Sequence, residues 1–332
     1  MINEREIILQ RIERLAAEFI RDGSVAKWSS GRDDVLINAT QGVNGPLLEL
    51  LCEITHDPDI ECVALFRDGA PLFGTLATSG NGTPLDLPAS TTPDELLSGR
   101  LSKNIELTAK GKPDAHSAKL MEIAKSDAAL GRNTEPKILD EAVMTRVNLT
   151  PRFGVRQGSL HCLSLYCMNI FYATGAKVRA VDDFTRSMVN GATEPTEKLS
   201  CQTLDAAFAV WRQLSEGRKV MHLLARAQNV VVNLQADLGL FKADIDSAFR
   251  RIPIIPEHRE FANVFWQHDG LTWFIQHVCM AFGLISSVHH WHRVGSPSGY
   301  AFEHEFQLCA LWQVRSWPDW RGACCTYLFF GT

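Results

Sequence analysis

Phe241-Lys242-Ala243-Asp244-Ile245-Asp246-Ser247-Ala248-Phe249-Arg250-Arg251-Ile252-Pro253-Ile254 is the stretch on which the reading of this chain turns. Leu240 to Ile245 reads as a strand, with a carboxylate near its end. A short helix is expected from Ser247, with Asp246 or Ser247 as its N-cap, because these side chains accept from the first orphan backbone N–H groups. A strand-end carboxylate is held rigidly at the edge of a sheet, where it can ligate a metal. Capping explains Asp246 well. Asp244 stays open between a cap and a metal ligand. The basic residues that follow, Arg250, Arg251, His258 and Arg259, form a patch that fits a phosphate contact or an ordinary solvated face.

Downstream, Phe261 to Trp266 and Leu271 to Val278 flank His268-Asp269-Gly270, and an Asp-Gly pair between two aromatic, β-branched runs predicts a β-hairpin. Ser286 to Val294 reads as a helix. Upstream, Lys177 to Val181 alternates and reads as a strand, while Thr203 to Leu214 and residues 218–235 have helical spacing. Residues 4–22 predict an amphipathic helix stopped by Gly23, and residues 115–131 a looser one stopped by Gly131. Ile60 to Phe66 reads as a strand leaving through Asp68-Gly69, and the Gly-, Pro-, Thr- and Ser-rich stretch 74–98 as a loop.

Composition sets bounds on the function. The 332 residues are 45% hydrophobic and 21% charged, an ordinary globular balance that argues against wholesale disorder. At roughly 150 residues per domain, two domains or subdomains are expected. The net charge of -5 does not mark a nucleic-acid binder in bulk, so such a function must come from local basic stripes. Nine cysteines at irregular spacing, without a CxxC pair, read as reduced thiols of an intracellular protein. No apolar run reaches about 18 residues, which argues against a membrane span. The mixed-sign start, Met1-Ile2-Asn3-Glu4-Arg5-Glu6, is not a secretory signal.

The central stretch, with Asp244 near the end of a β-strand and Ala248-Phe249 soon after it, resembles motif A of reverse transcriptases. Two further blocks follow the order of that family. Lys177-Val178-Arg179-Ala180-Val181-Asp182-Asp183-Phe184 with Val189-Asn190 resembles the Lys-x-Arg block of the fingers, and Met280-Ala281-Phe282-Gly283-Leu284 with Ser286-Ser287-Val288 resembles motif B, Ala281 standing where Pro is usual. The resemblance is to retroelement reverse transcriptases of the gypsy or tyrosine-recombinase-linked kind, and it runs from Pro151 to Val294. It implies an α+β architecture, a partial right-hand fingers–palm. Residues 1–150 would be an N-terminal region of unknown role, 151–295 the fingers and palm, and 296–332 an irregular tail. It implies template-directed DNA synthesis on an RNA or DNA template-primer with dNTPs and Mg²⁺ or Mn²⁺. Asp244 would bind metal and Phe249 would exclude a ribose hydroxyl. Lys177 and Arg179 would hold phosphates, and Gly283 would admit backbone close to the nucleotide. The alternative is a catalytically inactive nucleic-acid-binding or interaction protein derived from the same fold.

Three features depart from that pattern. Two metals need more than one carboxylate, yet the sole Asp beyond Val294 is Asp319, so motif C is missing and a truncated polymerase is expected. Val181-Asp182-Asp183-Phe184 looks like motif C, but it precedes motif A; a permuted palm could use it so. Ser159 to Ala176, rich in Cys, Leu and Tyr, separates Arg152-Gln157 from the Lys177 strand. It reads as a retained intron or a genuine insertion, with the tail out of frame or misspliced in the first case. His289-His290-Trp291-His292 invites a metal reading, against which stands the lack of Cys or carboxylate partners at matching spacing.

Overall fold

The computed structural model describes residues 2–55, 59–80, 82–157, 177–199, 216 and 248–295. Asp244 and its strand, the helices expected at 203–214 and 218–235, the stretch Ser159 to Ala176 and residues 296–332 lie outside the described residues.

The described strands, in chain order, are β1 (Gly74–Thr75), β2 (Thr83–Pro84), β3 (Lys137–Ile138), β4 (Leu149–Gln157), β5 (Lys177–Asp182), β6 (Thr193–Glu194), β7 (Glu197–Lys198), β8 (Asn263–His268) and β9 (Leu271–Gln276). Five of them form a mixed sheet in the order β3-β9-β8-β4-β5. The β4–β8 pair is parallel and the others antiparallel. The β8–β9 hairpin forms where the Asp-Gly pair predicts it. His268 pairs with Leu271, and Asp269 (φ 50°) and Gly270 (φ 74°) both take the left-handed conformation that a tight two-residue hairpin turn needs.

Helices cover both faces of the sheet, and the two-residue period of the strands decides which side chain meets which helix. Val264, Trp266 and Ile275 pack with Leu120, Met121 and Ala124 of the Ser117–Ala129 helix. Phe265, Phe274 and Leu149 pack with Leu107 of the Arg100–Ala109 helix. Leu120 is fully buried, so truncation to Ala removes transfer energy and leaves a cavity, at about 2–5 kcal/mol. The fold is thus α+β. Helices form at Ile2–Arg21, followed by Gly23 at φ 80°, and at Ser117–Ala129, followed by Gly131 at φ 70°, close to the sequence expectations.

Three expectations need correction. Ile60 to Phe66 is not a strand: Ile60–Val63 is a 3₁₀ turn and Ala64–Arg67 an α-helical one. Val63, Leu65 and Phe66 are all buried, and a short apolar run without alternation serves a buried helix as well as a strand. The 74–98 stretch is more than a loop. It holds β1, which pairs with β6, β2, which pairs with β7, and the helix Pro93–Ser98. That helix starts from a capping box, in which Thr92 accepts from the Glu95 N–H and Glu95 accepts from the Thr92 N–H. Finally, the boundary at 150/151 falls inside β4. One core joins Cys52, Phe66 and Leu72 to Ile252, Phe261, Met280 and Leu284, so the first 150 residues share the core of the rest.

Candidate functional site

The described parts of the three blocks singled out in the sequence, 248–254 of the central one among them, meet at one end of the sheet. After β9 the chain passes back along the segment that follows Phe249: Ile254 N–H donates to Val278 O (2.7 Å) and Met280 N–H to Ile252 O (2.8 Å). It then turns at Phe282-Gly283 into the helix spanning 285–295. Gly283 has φ 97°, and a Cβ there would overlap the carbonyl oxygen of Asp182 at the end of β5. The turn therefore requires glycine on two counts, conformation and space. Asn190 clamps it, its amide N–H donating to Gly283 O (2.8 Å) and its oxygen accepting from the Ile285 N–H (3.0 Å). The ring of Phe249 meets Phe282 edge to face at 5.2 Å and 68°, and Trp291 at 6.5 Å and 78°.

The β4–β5 pair has two unlike faces. On one, Arg152 grips Asp182 with both prongs of its guanidinium, Nε to Oδ1 at 2.7 Å and Nη2 to Oδ2 at 3.0 Å. His277 Nε2 lies 3.0 Å from Asp182 Oδ2, and its Nδ1 lies 2.8 Å from Arg250 Nη1. A guanidinium can only donate, so Nδ1 accepts and Nε2 carries the proton given to Asp182. Arg250 Nη2 continues to Asp127 Oδ2 (2.5 Å) and Asn133 Oδ1 (3.2 Å). With His277 neutral, Arg152 and Arg250 balance Asp182 and Asp127. Burial by itself would raise the Asp182 carboxyl, but the Arg152 guanidinium and the His277 hydrogen bond outweigh it and hold the group well below the usual carboxylate range. Burial, and then the neighbouring Arg250 charge, push the His277 imidazole down to about 4.

The other face is open. Phe153 pairs with Val181, Val155 with Arg179 and Gln157 with Lys177. Cross-strand partners share a face, so Lys177 and Arg179 stand on the same side as the exposed Phe153 and Val155. Phe153 also lines a cleft of about 500 Å³ with Lys110, Lys112, Arg186, Phe265 and Gln267. Cations around an aromatic floor can hold phosphates and stack a planar base.

The expected site residues are thus partly assembled. Phe249 and Gly283 come together through Phe282, and Lys177 and Arg179 lie on the open face of β5. The basic patch divides, and its expected phosphate role is corrected for Arg250. That residue is 7% exposed and turned inward to Asp127 and His277, so its charge is spent on partners whose removal would leave it buried and uncompensated. Arg259 is tied by Nε to Ile254 O (3.2 Å) and by Nη1 to Asp33 (3.1 Å). Arg251 is half-buried. His258 stacks on Phe73 at 4.1 Å and accepts from the Leu72 N–H. Asp182 is engaged by Arg152 and His277, which removes it from any permuted Asp-Asp metal pair. Among the described residues no group of three His, Cys, Asp or Glu could hold a metal ion. His289 and His290 are buried instead, the second with Nε2 2.8 Å from Pro71 O. The described residues therefore do not make a two-metal site, and the metal ligand implied by the resemblance, Asp244, lies outside them. No described helix is long and apolar enough to cross a membrane. Sequence reasoning gave no role to Arg152, His277, Lys110, Lys112 and Arg186, and quoted Asn190 only as part of the Lys-x-Arg block. The Lys110-Gly111-Lys112 triplet was the one visible signal among them.

No family model matches the chain, and no curated protein or solved structure is significantly similar to it.

Proposed function

We propose that this chain carries the fingers and part of the palm of a template-directed DNA polymerase of the reverse-transcriptase type. One observation supports this reading above the rest. Described parts of three blocks spread over about a hundred residues of sequence are packed into one corner, where Gly283 abuts the Asp182 carbonyl, Asn190 clamps the Gly283 turn and Phe249 meets Phe282. In this reading Lys177 and Arg179 hold the triphosphate of a dNTP. Phe249, braced by Phe282 and Trp291, closes the space that a 2′-hydroxyl would need. The glycine turn leaves room for the base pair, and the cleft beside Phe153 takes the template strand through Lys110, Lys112 and Arg186. A divalent cation, Mg²⁺ or Mn²⁺, belongs with Asp244 and would supply charge stabilisation of the pyrophosphate.

The basic cleft beside Phe153 also suits a second reading, a catalytically inactive nucleic-acid-binding protein of the same descent. Primer extension with Mg²⁺ and dNTPs decides between them. Incorporation that Asp244→Ala abolishes supports the polymerase. Retention of a labelled primer–template with no incorporation supports the binding protein, and neither binding nor incorporation overturns both.

A further inference from the structure

Cys52, in the helix Gly45–Thr55, and Cys62, in the 3₁₀ turn Ile60–Val63, bring their Sγ atoms to 3.8 Å. Both side chains are 2% exposed and both are thiols. A disulfide needs an S–S distance of about 2.05 Å, so the two sulfurs must close by about 1.8 Å. They stand ten positions apart in the chain, which keeps the loop to be closed short. Arg293 lies within electrostatic range of Cys62, while it holds Asp59 through Nε (2.5 Å) and Nη2 (2.8 Å). A guanidinium beside a thiol favours the thiolate, which is the reactive form. Cys279 packs against Ala39 and Val278, and burial, outweighing the nearby Arg250 and Arg132, pushes its thiol up to about 11.

We propose that Cys52 and Cys62 are an oxidation site that closes reversibly to a disulfide when the chain meets a peroxide. The Cys62 thiolate attacks a peroxide oxygen, the O–O bond breaks, and hydroxide leaves to become water on taking up the Cys62 proton. Cys52 then attacks the resulting sulfenic sulfur; the S–O bond breaks, the S–S bond forms, and the second hydroxide leaves with the Cys52 proton. Two thiols are oxidised by two electrons in all, and one hydrogen peroxide is reduced to two waters. The link fastens the Gly45–Thr55 helix to the segment bearing Asp59. Through the Asp59–Arg293 pair, that segment is tied to the helix that follows the Gly283 turn.

Peptide mapping of the full chain tests this without any variant. The protein is treated with hydrogen peroxide, alkylated, and digested without reduction. The expected product joins the Cys52 and Cys62 peptides, is lighter than their sum by two hydrogens and disappears on treatment with dithiothreitol, while Cys279 is recovered alkylated. The proposal is overturned if Cys52 and Cys62 are both recovered alkylated, if either is linked to another cysteine, or if Cys62 accumulates as sulfinic acid with Cys52 unlinked. In Cys52→Ser the sulfenic acid on Cys62 has no resolving sulfur, and a dimedone adduct at Cys62 is expected. An adduct on some other cysteine instead overturns Cys62 as the attacking group.

Discussion

Arg152 and Phe153 are neighbours in β4 and meet opposite surroundings. Arg152 is 5% exposed and locked to Asp182, which accepts from His277 and through it joins Arg250; Phe153 is 40% exposed and lines a basic cleft. Across the pair, Asp182 and Val181 repeat the contrast. One face of the two strands is committed to holding the sheet against the segment after Phe249 and to fixing the end of β5 against which Gly283 turns. The other presents Lys177, Arg179, Phe153 and Val155 outward. The period of two lets a single pair of strands separate buried charges from charges on an exposed face.

The comparison breaks most visibly at the buried face. Asp182→Ala leaves Arg152 buried beside another guanidinium without its counter-charge, and a loss of about 3–5 kcal/mol is expected in urea unfolding. A loss under about 1 kcal/mol would mean that the pair does not organise this face. The glycine turn comes next. Gly283→Ala combines positive φ with a clash on the Asp182 carbonyl and should cost about 2–3 kcal/mol. Gly270→Ala has the same sign of φ but open space around it, so about 1 kcal/mol is expected. Equal effects at the two positions would remove the packing argument for Gly283.

Acid sharpens the contrast further. His277 has a folded pKa of about 4, below its ordinary value near 6.5, so the unfolded chain binds the extra proton first. The stability it supports is complete above pH 6.5 and falls as pH drops toward 4, at up to about 1.4 kcal/mol per pH unit. Asp182, depressed in the folded state, acts in a lower window, with loss beginning as pH falls through the unfolded carboxylate range near 4. His277→Gln should flatten the slope between pH 6.5 and 4 in thermal or urea unfolding; an unchanged slope would place the titration elsewhere. Smaller still, Thr92→Ala removes one arm of the capping box and should cost about 1 kcal/mol.

Local features were legible in the sequence. Asp269-Gly270 specifies its hairpin through two residues that tolerate positive φ, and Gly23 and Gly131 follow their helices for the same reason. The blocks around Lys177, Phe249 and Gly283 were legible as separate motifs, and packing adds the contacts among them. The buried network was not, because Arg152, Asp182, Arg250, His277 and Asp127 lie on five separate segments and nothing local distinguishes Arg250 from Arg251. Ile60 to Phe66 misled because every residue type in it suits either a helix or a strand. Thr92-Pro93-Asp94-Glu95 was a readable helix start, obscured by the loop-like composition around it.

The open face and its cleft are tested most directly by fluorescence anisotropy of a labelled primer–template across a salt series, comparing the chain with its Lys110→Ala/Lys112→Ala variant. Unfolding stability should change by about 0.5 kcal/mol or less, while affinity falls and the slope of log K against log salt drops by about 1.5–2, the share of two phosphate contacts. Equal affinity and equal salt slope in the two proteins would contradict the assignment of that face to nucleic acid.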